Sequence, residues 1–168
     1  MRKLTKSLIV LGALALAACT SPDRFDNPGN TVDLNTAAGA GTAADPRSPA
    51  YFQQTVGDRV LFEVDQSTLT ASAQATLDGQ AQWLLSNVEY QGVIEGHADE
   101  QGTREYNLAL GARRANAVQE YLVGRGVPSS RLRVVSFGKE RPIEICSEES
   151  CYAKNRRAVT VVTVTPVS

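Results

Sequence analysis

Glu95-Gly-His-Ala-Asp-Glu-Gln-Gly-Thr-Arg-Glu-Tyr-Asn-Leu-Ala-Leu-Gly-Ala-Arg-Arg-Ala-Asn-Ala-Val118 reads as the end of a strand, a polar turn and a helix. Thr103 is placed to cap the helix, and Glu105 lies near its positive end. Leu108, Ala112, Ala115, Val118 and Leu122 recur at helical spacing as the expected buried stripe. Gly124 and Gly126 end the helix. Asp99 falls in the turn, and Arg113 and Arg114 fall mid-helix. A turn carboxylate and a helical guanidinium facing one pocket would suit a small zwitterion. The carboxylate takes an ammonium, and the guanidinium takes a carboxylate through two parallel hydrogen bonds. On the residues alone, Asp99 and Arg114 could equally pair with each other on the surface.

The flanking sequence extends the pattern. Arg59 to Val64 reads as a strand. Thr70 is placed to cap a helix with Leu77, Ala81, Leu84, Leu85 and Val88 on its apolar side. Gln91 to His97 is a second strand and Leu132 to Phe137 a third. Ala153 to Arg157 reads as a short helix, and the β-branched run Ala158 to Thr165 as the last strand. The order β-α-β-α-β-(α)-β predicts two layers, with helices packed on one face of a sheet. Strand order does not follow from this pattern.

The N-terminal segment has a different composition. Arg2, Lys3 and Lys6 precede the apolar run Leu8 to Ala18, which is too short to span a bilayer. The run ends in Leu16-Ala17-Ala18-Cys19, which looks like a lipoprotein cleavage and acylation site at Cys19. The alternative is an ordinary secretory signal over residues 1–18 with an incidental cysteine. Three acyl chains on Cys19 would exceed the two anchors needed for stable membrane attachment. Thr20 is not acidic, which by analogy with known sorting directs such a protein to the outer membrane. Losing Arg2, Lys3 and Lys6 takes the 17 basic groups to 14, against 18 acidic ones, a net charge of −4. That balance argues against nucleic acid as a partner.

Residues 19–50 are rich in Pro, Gly, Ala, Asn, Asp and Thr, and are expected to be a disordered tether. Thirty such residues span roughly 30 Å as a flexible coil and roughly 100 Å when extended. Residues 51–168 are expected to be one folded domain.

Five blocks carry a family resemblance over about residues 58–164: Glu95-Gly-His-Ala-Asp99, Tyr106-Asn-Leu108, Arg113 to Val118, Ser136 to Pro142, and Asn155-Arg-Arg157. In them the chain resembles the OmpA-like peptidoglycan-binding domains. The resemblance implies an α/β two-layer sandwich of helices on a mixed four-stranded sheet. It also implies non-covalent binding of the meso-diaminopimelate in the peptidoglycan stem peptide. The ligand pair carried over is Asp99 and Arg114, with Asn107 at a further ligand position. Gln101 is added from its place in the loop. The family segment that usually reads Phe-Asp-x-Asp is here Phe62-Glu-Val-Asp65. Glu63 is longer by a methylene, so Asp65 is the better contact. The implied partners are TolB and the Tol–Pal system, with a lipid-anchored outer-membrane location and a role in division.

No enzyme activity and no cofactor are expected. The sequence carries no nucleophile-elbow or metalloprotease motif. The competing reading is an accessory to a cell-wall hydrolase or transglycosylase. His97 is the only histidine, and zinc or iron would recruit more than one histidine or a thiolate. His97 is expected to brace the binding loop through hydrogen bonds. Cys146 and Cys151 flank Ser-Glu-Glu-Ser, and so close a pair in an exported chain predicts a disulfide. Closing so short a loop contributes about 2 kcal/mol.

Overall fold

Tyr90–His97 (β2) alternates buried Gly92, Ile94 and Gly96 with partly exposed Gln91, Val93 and Glu95. One face of this strand is therefore covered and the other is open to solvent. The computed structural model describes residues 41–145 and 147–164. The predicted leader, Cys19, residues 19–40 of the predicted tether, Cys146 and residues 165–168 lie outside the described residues.

The remaining elements are α1 (Pro49–Tyr51, continuing as a π-helical turn Phe52–Gly57), β1 (Arg59–Leu61), α2 (Ala71–Ser86), α3 (Arg104–Gly124), β3 (Leu132–Gly138), α4 (Glu149–Asn155) and β4 (Arg157–Val164). A 3-10 turn, Ser129–Arg131, leads into β3. The sheet order is β1-β4-β2-β3. β4 runs antiparallel to both β1 and β2, whereas β2 and β3 are parallel. A parallel neighbour needs a crossover, and α3 supplies it. The mixed four-stranded sheet and its helical layer agree with the predicted fold class.

Both predicted caps form. Thr70 Oγ1 accepts from Ala73 N–H at 3.1 Å, and Thr103 Oγ1 from Tyr106 N–H at 3.2 Å. After α3, Gly126 takes φ +98. This conformation lets Val127 N–H reach back to Leu122 O at 3.1 Å. Leu77, Leu84, Ile94, Ala115, Val118 and Leu122 form the centre of the core. Each of the Leu, Ile and Val side chains stabilises the fold by about 1.5–3 kcal/mol on burial.

Several expectations need correction. Leu85, Val88 and Leu108 are exposed rather than buried. Gln80 takes an inward position on α2, because its amide donates to Gly57 O and accepts from Thr160 Oγ1–H. β1 stops at Leu61 rather than Val64. The short helix begins at Glu149, ahead of the expected Ala153. Packing also starts before Tyr51. Ser48 is buried and caps α1, and Trp83 Nε1–H donates to Pro46 O at 2.8 Å. The rings of Phe52 and Tyr90 lie 4.9 and 5.0 Å from that of Trp83. The final residues of the 19–50 segment thus belong to the domain, because Trp83 gives them a surface to cover.

A close backbone approach joins α3 to β2. A Cβ on Gly96 would stand 1.9 Å from Gly111 O. A Cβ on Gly111 would stand 2.5 Å from Ser136 Oγ. Neither position accepts a side chain without moving the helix. This contact sets the mid-helix residues of α3 directly beside the end of β2.

Candidate functional site

Three segments converge where β2 ends: the loop after β1, the loop Ala98–Gly102, and the first turns of α3. They enclose a cavity of about 270 Å³. Asp65, Asp99, Gln101, Tyr106 and Asn107 supply its polar wall, and Val64 and Leu110 its apolar wall. The structure thus brings together four of the predicted site residues, Asp65, Asp99, Gln101 and Asn107. A larger cavity of about 480 Å³ lies between residues 46–56 and α2, with Arg47 as its one charged lining side chain. Of these two, the smaller combines two carboxylates with a nearby guanidinium; a third cavity, of about 390 Å³, has Asp78 and Arg125 in its wall, but they are already paired with each other at 2.7 Å.

Asp99 is 8% exposed. Its Oδ1 accepts from Gln101 N–H at 3.2 Å, and its Oδ2 from Arg156 Nη1–H at 3.2 Å. Asn107, almost fully buried, donates from Nδ2 to Gln101 O at 2.7 Å. The loop is tied from outside as well. Lys139 Nζ donates to Gly102 O at 2.7 Å, and Tyr152 O–H of α4 donates to Glu100 Oε1 at 2.9 Å.

Arg114 does not line the cavity, and its side chain is fully buried. Nε donates to Gln66 O at 2.8 Å, Nη1 to His97 O at 2.8 Å, and Nη2 to Glu63 O at 3.1 Å. The guanidinium also lies 5.3 Å from the centre of the Phe62 ring. Burial pushes its pKa down to about 10, while the charges of Asp99 and Asp65 act in the opposite direction. It therefore stays charged at neutral pH. A guanidinium has five N–H groups. Three are spent on carbonyls, and Nη1 and Nη2 each keep one. The surface pair of Asp99 with Arg114 does not form, because the ion partner of Asp99 is Arg156.

His97 departs from its expected role. Its ring is 2% exposed, and neither ring nitrogen has a hydrogen-bond partner. It stacks on Phe137 at 5.5 Å, and Arg141 lies over that ring at 3.7 Å. Burial, then the charges of Arg157 and Arg141, lower its pKa to about 4. The ring is neutral, and only the backbone carbonyl braces Arg114. Among the described residues no group of three His, Cys, Asp or Glu side chains gathers as a metal site would require.

Asp65 adopts φ +56, a left-handed conformation, and accepts a hydrogen bond from Tyr106 O–H across the cavity mouth. The Glu63 side chain is exposed, and its backbone carbonyl serves Arg114. Arg157 is buried against Asn155 O and Arg141 O. Cys151 is disulfide-bonded. Tyr106 has no assigned role in the sequence beyond standing inside a family block. For Arg156 and Arg157 the sequence leaves open which one braces the ligand loop and which faces solvent or a partner; Arg156 is the one that reaches Asp99.

The OmpA family profile matches residues 61–156. The peptidoglycan-associated lipoprotein of Rhizobium meliloti is 54% identical over 149 residues, covering 89% of this chain and 82% of that protein. That of Agrobacterium fabrum is 47% identical over 165 residues, covering 96% and 91%. Among solved structures, the peptidoglycan-associated lipoprotein from Burkholderia pseudomallei is similar at a TM-score of 0.64 and 39% identity, covering 71% of this chain and 97% of that one. The C-terminal domain of Helicobacter pylori MotB, 20% identical with a TM-score of 0.60, covers 65% and 86% and shares the fold. With the family profile over the site and close relatives along nearly the whole sequence, this chain belongs to the OmpA family, among the peptidoglycan-associated lipoproteins.

Proposed function

We propose that this chain is a non-enzymatic lipoprotein that binds peptidoglycan through the diaminopimelate of the stem peptide. The observation that carries this reading is the buried Asp99 carboxylate, fixed in the cavity wall with the charged Arg114 nearby. The ligand's ammonium binds Asp99, with Asp65 as a second carboxylate. Its carboxylate takes the two unspent N–H groups of Arg114 in the two-pronged geometry a lysine cannot supply. Asn107 and Gln101 meet the remaining polar atoms. Because Arg114 lies behind the wall, the ligand must part the Tyr106–Asp65 hydrogen bond to reach it.

No helix among the described residues is long and apolar enough to cross a membrane. Attachment in this reading rests on acylated Cys19, with the leader 1–18 removed. The domain then ties the outer membrane to the wall from the periplasmic side, within the Tol–Pal system and with TolB as partner. The peptidoglycan-associated lipoproteins that this chain resembles support that placement. A Cys146–Cys151 disulfide staples the loop ahead of α4. Intact mass of the membrane-extracted protein checks both modifications: an unmodified Cys19, or two free thiols at Cys146 and Cys151, would refute the corresponding assignment.

Calorimetry with two stem peptides tests the site. A peptide with lysine in place of diaminopimelate keeps the ammonium and lacks the carboxylate that Arg114 would hold. It should bind at least about tenfold more weakly. Equal affinities would refute the assignment. Incubation with sacculi should sediment the protein and release no soluble muropeptide, and turnover would favour the hydrolase-accessory reading.

A further inference from the structure

We propose that Arg156 is the positioning residue for the Asp99 carboxylate, and that Glu149 keeps the site's net charge negative enough to attract an ammonium. This inference rests on the ligand reading above and concerns how that site is tuned.

Arg156 is 4% exposed and meets three separate segments. Nε donates to Phe62 O at 3.3 Å, in the loop after β1. Nη1 donates to Asp99 Oδ2 at 3.2 Å, in the loop after β2. Nη2 is paired with Glu149, in the first turn of α4. The backbone adds a fourth tie, from Phe62 N–H to Arg156 O at 2.9 Å. One guanidinium therefore fixes where both ligand-facing loops sit relative to α4.

A carboxylate has about four lone-pair sites. Gln101 N–H occupies one on Oδ1, and Arg156 occupies one on Oδ2. Bonds to both oxygens stop rotation about the Cβ–Cγ bond and leave one site on each oxygen for a ligand. The charge arrangement is equally specific. A closed Asp99–Arg156 pair would carry no net charge. Glu149 restores a formal −1 to the group, and its hydrogen bond from Arg156 holds the Glu149 carboxyl below the usual range. Arg114 and Asp65 also lie near this group and carry opposite charges, and Lys139 Nζ donates to the backbone carbonyl of Glu100 on the Asp99 loop, so those two charges oppose one another as well.

The test is calorimetry of a diaminopimelate-containing tripeptide with the full chain in detergent at neutral pH. Arg156→Gln should weaken binding about tenfold. Arg156→Lys restores the charge beside Asp99 but not the fork, so it should recover part of that affinity. Wild-type affinity in Arg156→Gln, or no recovery in Arg156→Lys, would overturn the proposal. If Arg156→Gln loses its folded circular-dichroism spectrum, Glu149→Gln decides, because that side chain is largely exposed. It should weaken binding about threefold, and unchanged affinity would overturn the proposal. Failure of the unsubstituted chain to bind would strike at the ligand reading itself, and this inference would fall with it.

Discussion

The floor and the rim of the cavity are built differently. The floor, Asp99 and Asn107 backed by Arg114 and Arg156 behind the wall, is buried and bonded to backbone or within itself. On the rim, Asp65, Gln101 and Tyr106 are exposed, and the Tyr106–Asp65 hydrogen bond joins two loops across solvent. A floor of this kind is ordered before the ligand arrives, so little ordering entropy is lost on binding. In the proposed binding mode the rim would have to open, and the Tyr106–Asp65 contact is the one a ligand would part.

The largest effect should come from removing the floor's central cation. Arg114→Ala leaves Gln66 O, His97 O and Glu63 O without their donor, and unmade buried hydrogen bonds cost about 1–3 kcal/mol each. It should lower unfolding free energy by about 3–5 kcal/mol in urea titration, as well as abolish binding. A stably folded Arg114→Ala domain would show that the floor is less integrated than its hydrogen bonds imply. Asp99→Ala should keep the fold and weaken peptide binding by roughly ten- to a hundredfold, read by calorimetry.

His97 gives a pH signature beside the floor. Its folded pKa of about 4 lies below the ordinary value of 6.5, so the unfolded chain binds a proton more readily. Stability is full above about pH 6.5 and falls as pH drops toward 4, by at most about 3 kcal/mol. His97→Phe should flatten that slope in melts across pH 4–7. The smallest effect belongs to the rim. Tyr106→Phe should leave affinity within about threefold and speed association, because the bond that closes the mouth is gone. A large affinity loss in stopped-flow and calorimetry would instead make Tyr106 part of the floor.

Local signals carried most of the fold. Thr70 and Thr103 cap the helices they were expected to cap, and Gly124-Arg125-Gly126 ends α3. Helical periodicity was less reliable at the margins. Leu85, Val88 and Leu108 follow the spacing yet face solvent, while Gln80 is buried because two distant polar partners receive it. The segment before Tyr51 reads as tether by composition, and its partners, Trp83 and Glu89, lie far along the chain. In the site, the motif blocks pointed to Asp99, Asn107 and Arg114. What Arg114 does could not be read, since its three carbonyl acceptors lie 48, 17 and 51 residues away along the chain. The Asp99–Arg156 pair spans 57 residues and leaves no local trace either.

The meeting of Gly96 and Gly111 gives the site an asymmetric mutational future. The spacing between β2 and α3 is already at the minimum that backbone atoms allow, and no residue is smaller than glycine. Point mutation at this contact can therefore move the helix in one direction only, outward. Asp99 follows the end of β2 and Arg114 sits on α3, so such a change would lengthen the span between them. In the proposed site, adaptation toward a shorter ligand is then closed along this route and would have to come through the surrounding loops, which would make the two glycines a fixed ruler for ligand length.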